Sequence, residues 1–192
     1  MKNIVLAALA ATAMFATQAH AGTVSAEAGL SGLGKTLPGS TDFSVGYDAP
    51  LTNLTTFGVA VSTDQPRHGG EVSSKVSAHI GANLPTVLGF TPAAYAEVGQ
   101  SFQTNNNSQF WGAGAGLGHK LYGPVTVSVG YRHREGFTNV VRLQEDRLNG
   151  DLSVAIGHGN SIGVNFYRTT GSTTEYGRAR NEEVALGVTH SF

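Results

Sequence analysis

The chain has 192 residues, a formal charge of −1 and only 13% charged side chains, against ~25% in ordinary soluble domains. It has no cysteine, which excludes a disulfide framework, a thiol-linked lipid anchor and any cysteine-ligated metal site. The balanced charge gives no basis for nucleic-acid binding, and so few charges cover a water-facing surface poorly but suit one that faces lipid.

The first element is a targeting segment. Lys2 supplies a positive start, Ile4 to Thr17 carry no charge, and Ala19-His20-Ala21 place small residues at a cleavage site, the pattern of a secretory signal. The apolar stretch falls short of the ~20 residues that a spanning helix needs. Residues 1–21 are therefore expected to be a signal peptide cleaved after Ala21. Residues 22–192 are then a single β-barrel domain with a formal charge of −2, because Lys2 is removed.

From residue 22 onwards, apolar and polar residues alternate with a period of two, the signature of strands with two unlike faces. Val24, Ala26, Ala28 and Leu30 oppose Ser25, Glu27, Gly29 and Ser31. Phe43, Val45 and Tyr47 oppose Asp42, Ser44, Gly46 and Asp48. Phe57, Val59 and Val61 form a third row, and Val76, Ala78 and Ile80 form a fourth opposite Lys75, Ser77 and His79. Ala96, Val98 and Phe102 oppose Tyr95, Glu97, Gly99 and Ser101. Trp111, Ala113, Ala115 and Leu117 then oppose four glycines, 112 to 118. Val125, Val127, Val129 and Tyr131 face away from Thr126, Ser128, Gly130, Arg132 and Arg134. Leu152, Val154 and Ile156 oppose Asp151 and Ser153; Ile162, Val164 and Phe166 oppose Gly163, Asn165 and Tyr167. The tenth row is Val184, Leu186 and Val188, opposite Glu183, Ala185 and Gly187.

The spacing predicts an all-β, antiparallel, up-and-down transmembrane barrel of ten strands, or eight if two hairpins are misread. A tilted bilayer-crossing strand takes ~9–11 residues. Most of these rows have that length, longer than the ~5–6 typical of the strands in a soluble sandwich, the competing reading. Closure removes the sheet edges that lipid does not tolerate. Breakers set outer loops at 33–41, 63–71, 103–109, 135–148 and 169–182, the last two longest. Short turns fall at 49–55, 84–93, 122–124 and 158–161.

The chain ends in Gly187-Val-Thr-His-Ser-Phe192, with Val184, Leu186 and Val188 at alternate positions before the terminal Phe192. In this the chain resembles the small outer-membrane barrels of Gram-negative bacteria. Their last strand ends in Phe, although the family prefers an apolar or aromatic residue where His190 stands. Size and layout are similar to the OmpA/OmpX/OmpW class and to YfaZ-like proteins, with no single member matched. The resemblance implies a bacterial outer-membrane location, contact with membrane lipid and lipopolysaccharide, and reading of Val184, Leu186, Gly187, Val188 and Phe192 by the barrel-assembly machinery.

The inward parity collects Glu27, Asp42, Lys75, Glu97, Arg132, Arg134, Asp151 and Glu183 as an expected interior charge network. Six of them, without Glu27 and Glu97, are expected in the outer half. Buried charges require such pairing. Glu145 and Asp146 are expected as solvated loop residues. Arg142, Arg147, Arg178 and Arg180 are expected in the long loops, where both signs of charge mix. His119, His133 and His190 lie on the outward parity.

No nucleophile with base and orienter is visible, so no catalytic, cofactor-binding or metal residue is assigned. Gly112 to Gly118 lacks the Lys-Ser/Thr of a phosphate loop. The leading functional expectation is a structural or narrow-pore, porin-like barrel with a charge-paired interior. The alternatives are a surface-binding adhesin or receptor acting through loops 135–148 and 169–182, and an outer-leaflet lipid-modifying enzyme or protease.

Overall fold

The computed structural model describes residues 22–32, 39–67, 71–103, 107–137, 144–173 and 177–192, with backbone alone at 172, 173 and 177–179. The signal segment 1–21 lies outside the described residues, as do Arg142 and the side chain of Arg178. Ten strands follow one another: β1 (Thr23–Ser31), β2 (Ser40–Pro50), β3 (Thr55–Pro66), β4 (Ser73–Asn83), β5 (Phe90–Phe102), β6 (Asn107–Lys120), β7 (Val125–Gly136), β8 (Gln144–Gly157), β9 (Asn160–Thr173) and β10 (Gly177–Ser191). Each pairs antiparallel with its chain neighbours, and β10 pairs with β1 to close the barrel.

Both chain ends of the barrel lie at the end that carries the turns 51–54, 84–89, 121–124 and 158–159. His158 adopts a left-handed φ of 52° between two glycines in the tightest of these. Following the hydrogen-bonded register from Thr23 through Asp48, Gly58, His79, Glu97, Gly112, Arg134, Glu145 and Gly171 leads to Ala179 on β10, twelve residues from Ser191, the partner of Thr23 across the closing seam. That stagger tilts the strands by about 40°.

The alternation works in the reverse sense to that of a soluble protein. Outward rows expose their apolar members, with Val129 62%, Phe166 56% and Leu186 63% exposed. Such a continuous apolar surface has a partner in lipid. The inside holds little apolar matter: among the described residues the buried apolar side chains on the inward parity are Phe110 and Ala185, Tyr47 lying on the outward row, while Glu97, Arg134 and Glu145 are buried polar ones.

At the other end of the barrel, the loop end, all five expected outer loops give residues to strands, 33–41 giving Ser40 and Thr41 to β2 and 103–109 giving 107–109 to β6. β8 begins at Gln144, β9 runs to Thr173 and β10 begins at Gly177, so the described residues of 135–148 and 169–182 are strand apart from Phe137. Asp64 and Gln65 likewise belong to β3 and not to a loop. These strand ends are polar on both faces, so they carry no apolar alternation, yet their backbones continue the ladder. At the turn end, Phe90 to Ala93 and Ser161 also belong to strands, β5 and β9.

Candidate functional site

The interior is built from the register. On the hydrogen-bonded row named above, Asp48, Gly58 and His79 and then Glu97, Gly112 and Arg134 repeat the order acid, glycine, base, and these two glycines each leave room for their neighbours to meet. Glu97 on β5 and Arg134 on β7 flank Gly112 on β6. Nε and Nη2 of Arg134 donate to the two oxygens of Glu97 at 2.6 and 2.9 Å. A β-carbon on Gly112 would stand 2.7 Å from Glu97 Oε1 and 2.8 Å from the backbone oxygen of His133. On the same row, His79 Nε2 lies 2.7 Å from Asp48 Oδ1, across Gly58.

Glu145 of β8 sits next to Arg134 in the register and is the hub of the cluster. It pairs with Arg132, lies 3.7 Å from Arg134 Nη1, and takes Lys75 Nζ at 3.5 Å. Arg132 Nε is also 3.8 Å from Glu97. Three cations thus share two carboxylates in a half-buried space, where an unpaired charge costs several kcal/mol, and the cluster keeps one net positive charge. Phe110, fully buried on the inward face of β6, lies under the Arg134 guanidinium at 4.7 Å from the ring centroid.

A second group lies across β1 and β8–β10. Arg147 Nη2 donates to Glu183 at 3.2 Å, and its guanidinium stacks 3.4 Å from the centroid of Tyr167. The Tyr167 hydroxyl donates to Glu27 at 2.8 Å.

Of the eight residues expected inside, Lys75, Glu97, Arg132 and Arg134 come together in one cluster and Glu27 and Glu183 lie in the other. Asp42 has hydrogen-bond contacts with Ser40, at 3.5 Å, Ser31 and Asp64, and neither it nor Asp151 has a cation partner among the described residues. Glu97 joins the cations although strand counting kept it out of their half. The tilt of the strands brings it there.

Two expectations are corrected. Glu145 is not a solvated loop residue but a buried interior one, and Arg147 faces the lumen rather than a surface loop. Both continue the inward parity of Asp151 and Ser153, the signal that locates them. Phe110 follows from the same rule, as the neighbour of outward Trp111. Asp146 faces outward instead, where its Oδ1 accepts the Tyr131 hydroxyl and lies 2.8 Å from His133 Nδ1. Arg180 pairs with Glu182 on the outer face of β10. Among the described residues, no group of three or more His, Asp or Glu is arranged to hold a metal ion.

Of the C-terminal signal, Val184, Leu186 and Val188 face outward and Gly187 faces inward opposite Glu27. The Phe192 amide donates to the Gly22 carbonyl at 2.9 Å, and its ring packs edge-on against His190 at 4.5 Å.

Within the walls lies a cavity of about 690 Å³. It extends from Asp42, Asp64 and Asn181 towards the loop end to Asn83, Thr91 and Ser128 towards the turn end.

A model described as a cyanophage outer membrane protein like beta barrel domain matches residues 1–121. The chain belongs to this family. No curated protein matches it. Among solved structures, this family member is similar to an outer-membrane channel from Pseudomonas putida at 9% identity and a TM-score of 0.61, over 91% of this chain and 96% of that one. It is similar to the beta domain of the Bordetella autotransporter BrkA at 10% identity and 0.55, over 90% and 99%. A KdgM porin in complex with disordered oligogalacturonate aligns at 9% identity and 0.50, over 88% and 99%. At these identities the likeness is one of fold. Family and fold together mark the protein as a bacterial outer-membrane barrel of porin-like architecture.

Proposed function

We infer that the protein is a narrow, water-filled channel of the outer membrane, restricted by its own paired charges. The observation that carries this reading is the cavity, lined by residues near both ends of a closed barrel and by the paired charges of its wall. Ten strands leave more width than eight, whose interior side chains can fill. The cluster of Glu97, Arg134, Glu145 and Arg132 occupies part of that width as a fixed constriction. The channel and porin among the fold relatives support the reading.

In this account residues 1–21 are removed after Ala21, the short turns and both termini are periplasmic, and the broader loop end faces outward. The last strand, ending in Phe192, is the segment that the assembly machinery reads. The test is conductance. The protein, extracted from membranes in mild detergent and added to planar bilayers, is expected to give small discrete current steps. A correctly folded, heat-modifiable sample that inserts without any steps would reduce the barrel to a plugged scaffold.

A further inference from the structure

The two halves of the wall are built from side chains of different size. From β5 to β9 the inward positions hold Tyr95, Phe110, Arg132, Arg134, Arg147 and Tyr167. From β2 to β4 the cavity is lined by Ser44, Ala60, Ser62 and Ser77 together with Asp42 and Asp64, and Lys75 is the long side chain there, reaching across to Glu145. Beside the charge cluster these small side chains leave the open space against β2–β4, and towards the turn end the lining passes to Ala93, Gly116, Gly118 and Ser128.

The charges are divided in the same way. The four cations that line the cavity, Lys75, Arg132, Arg134 and Arg147, are each held in an ion pair with Glu97, Glu145 or Glu183. Asp42 and Asp64 line it on the small-residue side, directly opposite one another in the β2–β3 register, and no ion pair engages either among the described residues. Like charges at directly opposed positions repel; the two carboxyls lie within hydrogen-bond reach of one another, and whether they share a proton or hold a mobile counter-ion the pair itself keeps negative charge. In a narrow lumen with low-dielectric walls, uncompensated wall charge sets which ions enter.

We propose that the conducting path passes the charge cluster off-centre, along the β2–β4 wall, and carries small hydrated cations in preference to anions. This rests on the channel reading above and adds to it the route and the sign of the transported charge. The arginines contribute little attraction for anions because their carboxylate partners already hold them.

The experiment is a reversal-potential measurement on the intact protein in a planar bilayer under a KCl gradient. The expected sign is that of K⁺ selectivity, and Asp42→Asn with Asp64→Asn is expected to move the potential towards zero. That double variant removes a repulsion, so the fold should persist, and heat-modifiability on a gel checks that it does. The chain has no cysteine, so Ser62→Cys places one thiol on the proposed route. A bulky cationic thiol reagent is expected to block the current, and to react faster than an anionic one of equal size. Steady current with a Cl⁻-selective potential, an unchanged potential in the double variant, or full current after complete Ser62→Cys labelling would each overturn the proposal. Absence of current in the parent protein would instead remove the channel reading itself.

Discussion

Glu97 and Arg134 sit two strands apart and meet through a double hydrogen bond laid across the bare backbone of Gly112. Side chains on β5 and β7 reach one another only because β6 contributes no side chain at that level. The interior glycine row thus creates space for charged neighbours, and the resulting pairs make ionised groups tolerable inside the wall.

Breaking this pair is expected to be costly. Glu97→Gln leaves Arg134 with a weakened partner in a space that excludes most water, and should destabilise the barrel by about 3 kcal/mol. The double variant with Arg134→Gln should lose less than the sum of the two single losses. Denaturant titrations of all four proteins in lipid would reveal this coupling, and strict additivity would show that the two residues do not act as a pair.

Gly112→Ala and Gly150→Ala should differ in sign. The added methyl at 112 meets Glu97 and the His133 carbonyl, whereas at 150 it meets nothing within 4 Å. The first should cost about 1–3 kcal/mol. The second should be neutral or stabilise by a few tenths up to about 1 kcal/mol, through the less flexible unfolded chain. Equal effects at the two sites would contradict the role given to the interior glycines.

Phe110→Ala removes a fully buried ring that supports the Arg134 guanidinium. A loss of about 3 kcal/mol is expected, with the cavity term included. Phe110→Leu should restore much of the packing but not the cation–π contact. Unfolding midpoints for the two variants separate these contributions, and a Leu variant no better than Ala would assign the whole effect to the aromatic face.

Val129 projects from the middle of β7 into the apolar band. Val129→Arg should destabilise by about 2–4 kcal/mol in a bilayer, the cost of a cation at mid-depth. Equilibrium unfolding from liposomes measures it. A shift below about 0.5 kcal/mol, the size of an ordinary surface change, would place this face in water.

Period-two alternation made the strand number and the inward parity legible in the sequence, because lipid on one side and water on the other impose opposite demands on neighbouring residues. It failed where both faces are polar: Glu145 and Arg147 lie on a strand end beyond the apolar rows, so they read as loop until the ladder shows them continuing the parity of Asp151. Heights were misjudged for another reason. Counting residues from a turn ignores the tilt, and the twelve-residue stagger carries Glu97 up to the arginines. Phe110 was hidden because an apolar residue beside outward Trp111 looks like the edge of the lipid face, and only the pleat assigns it to the lumen.

The most direct test of the barrel and its wet interior compares two adjacent positions, Ser128→Cys and Val129→Cys, in the protein reconstituted in liposomes. Ser128 lines the cavity, and Val129 is 62% exposed on the outer face. A small water-soluble thiol reagent is expected to label Ser128→Cys readily and to leave Val129→Cys unlabelled until the protein is denatured. Equal labelling of both, or labelling of Val129→Cys alone, would contradict a lipid-facing outer surface around a water-filled lumen.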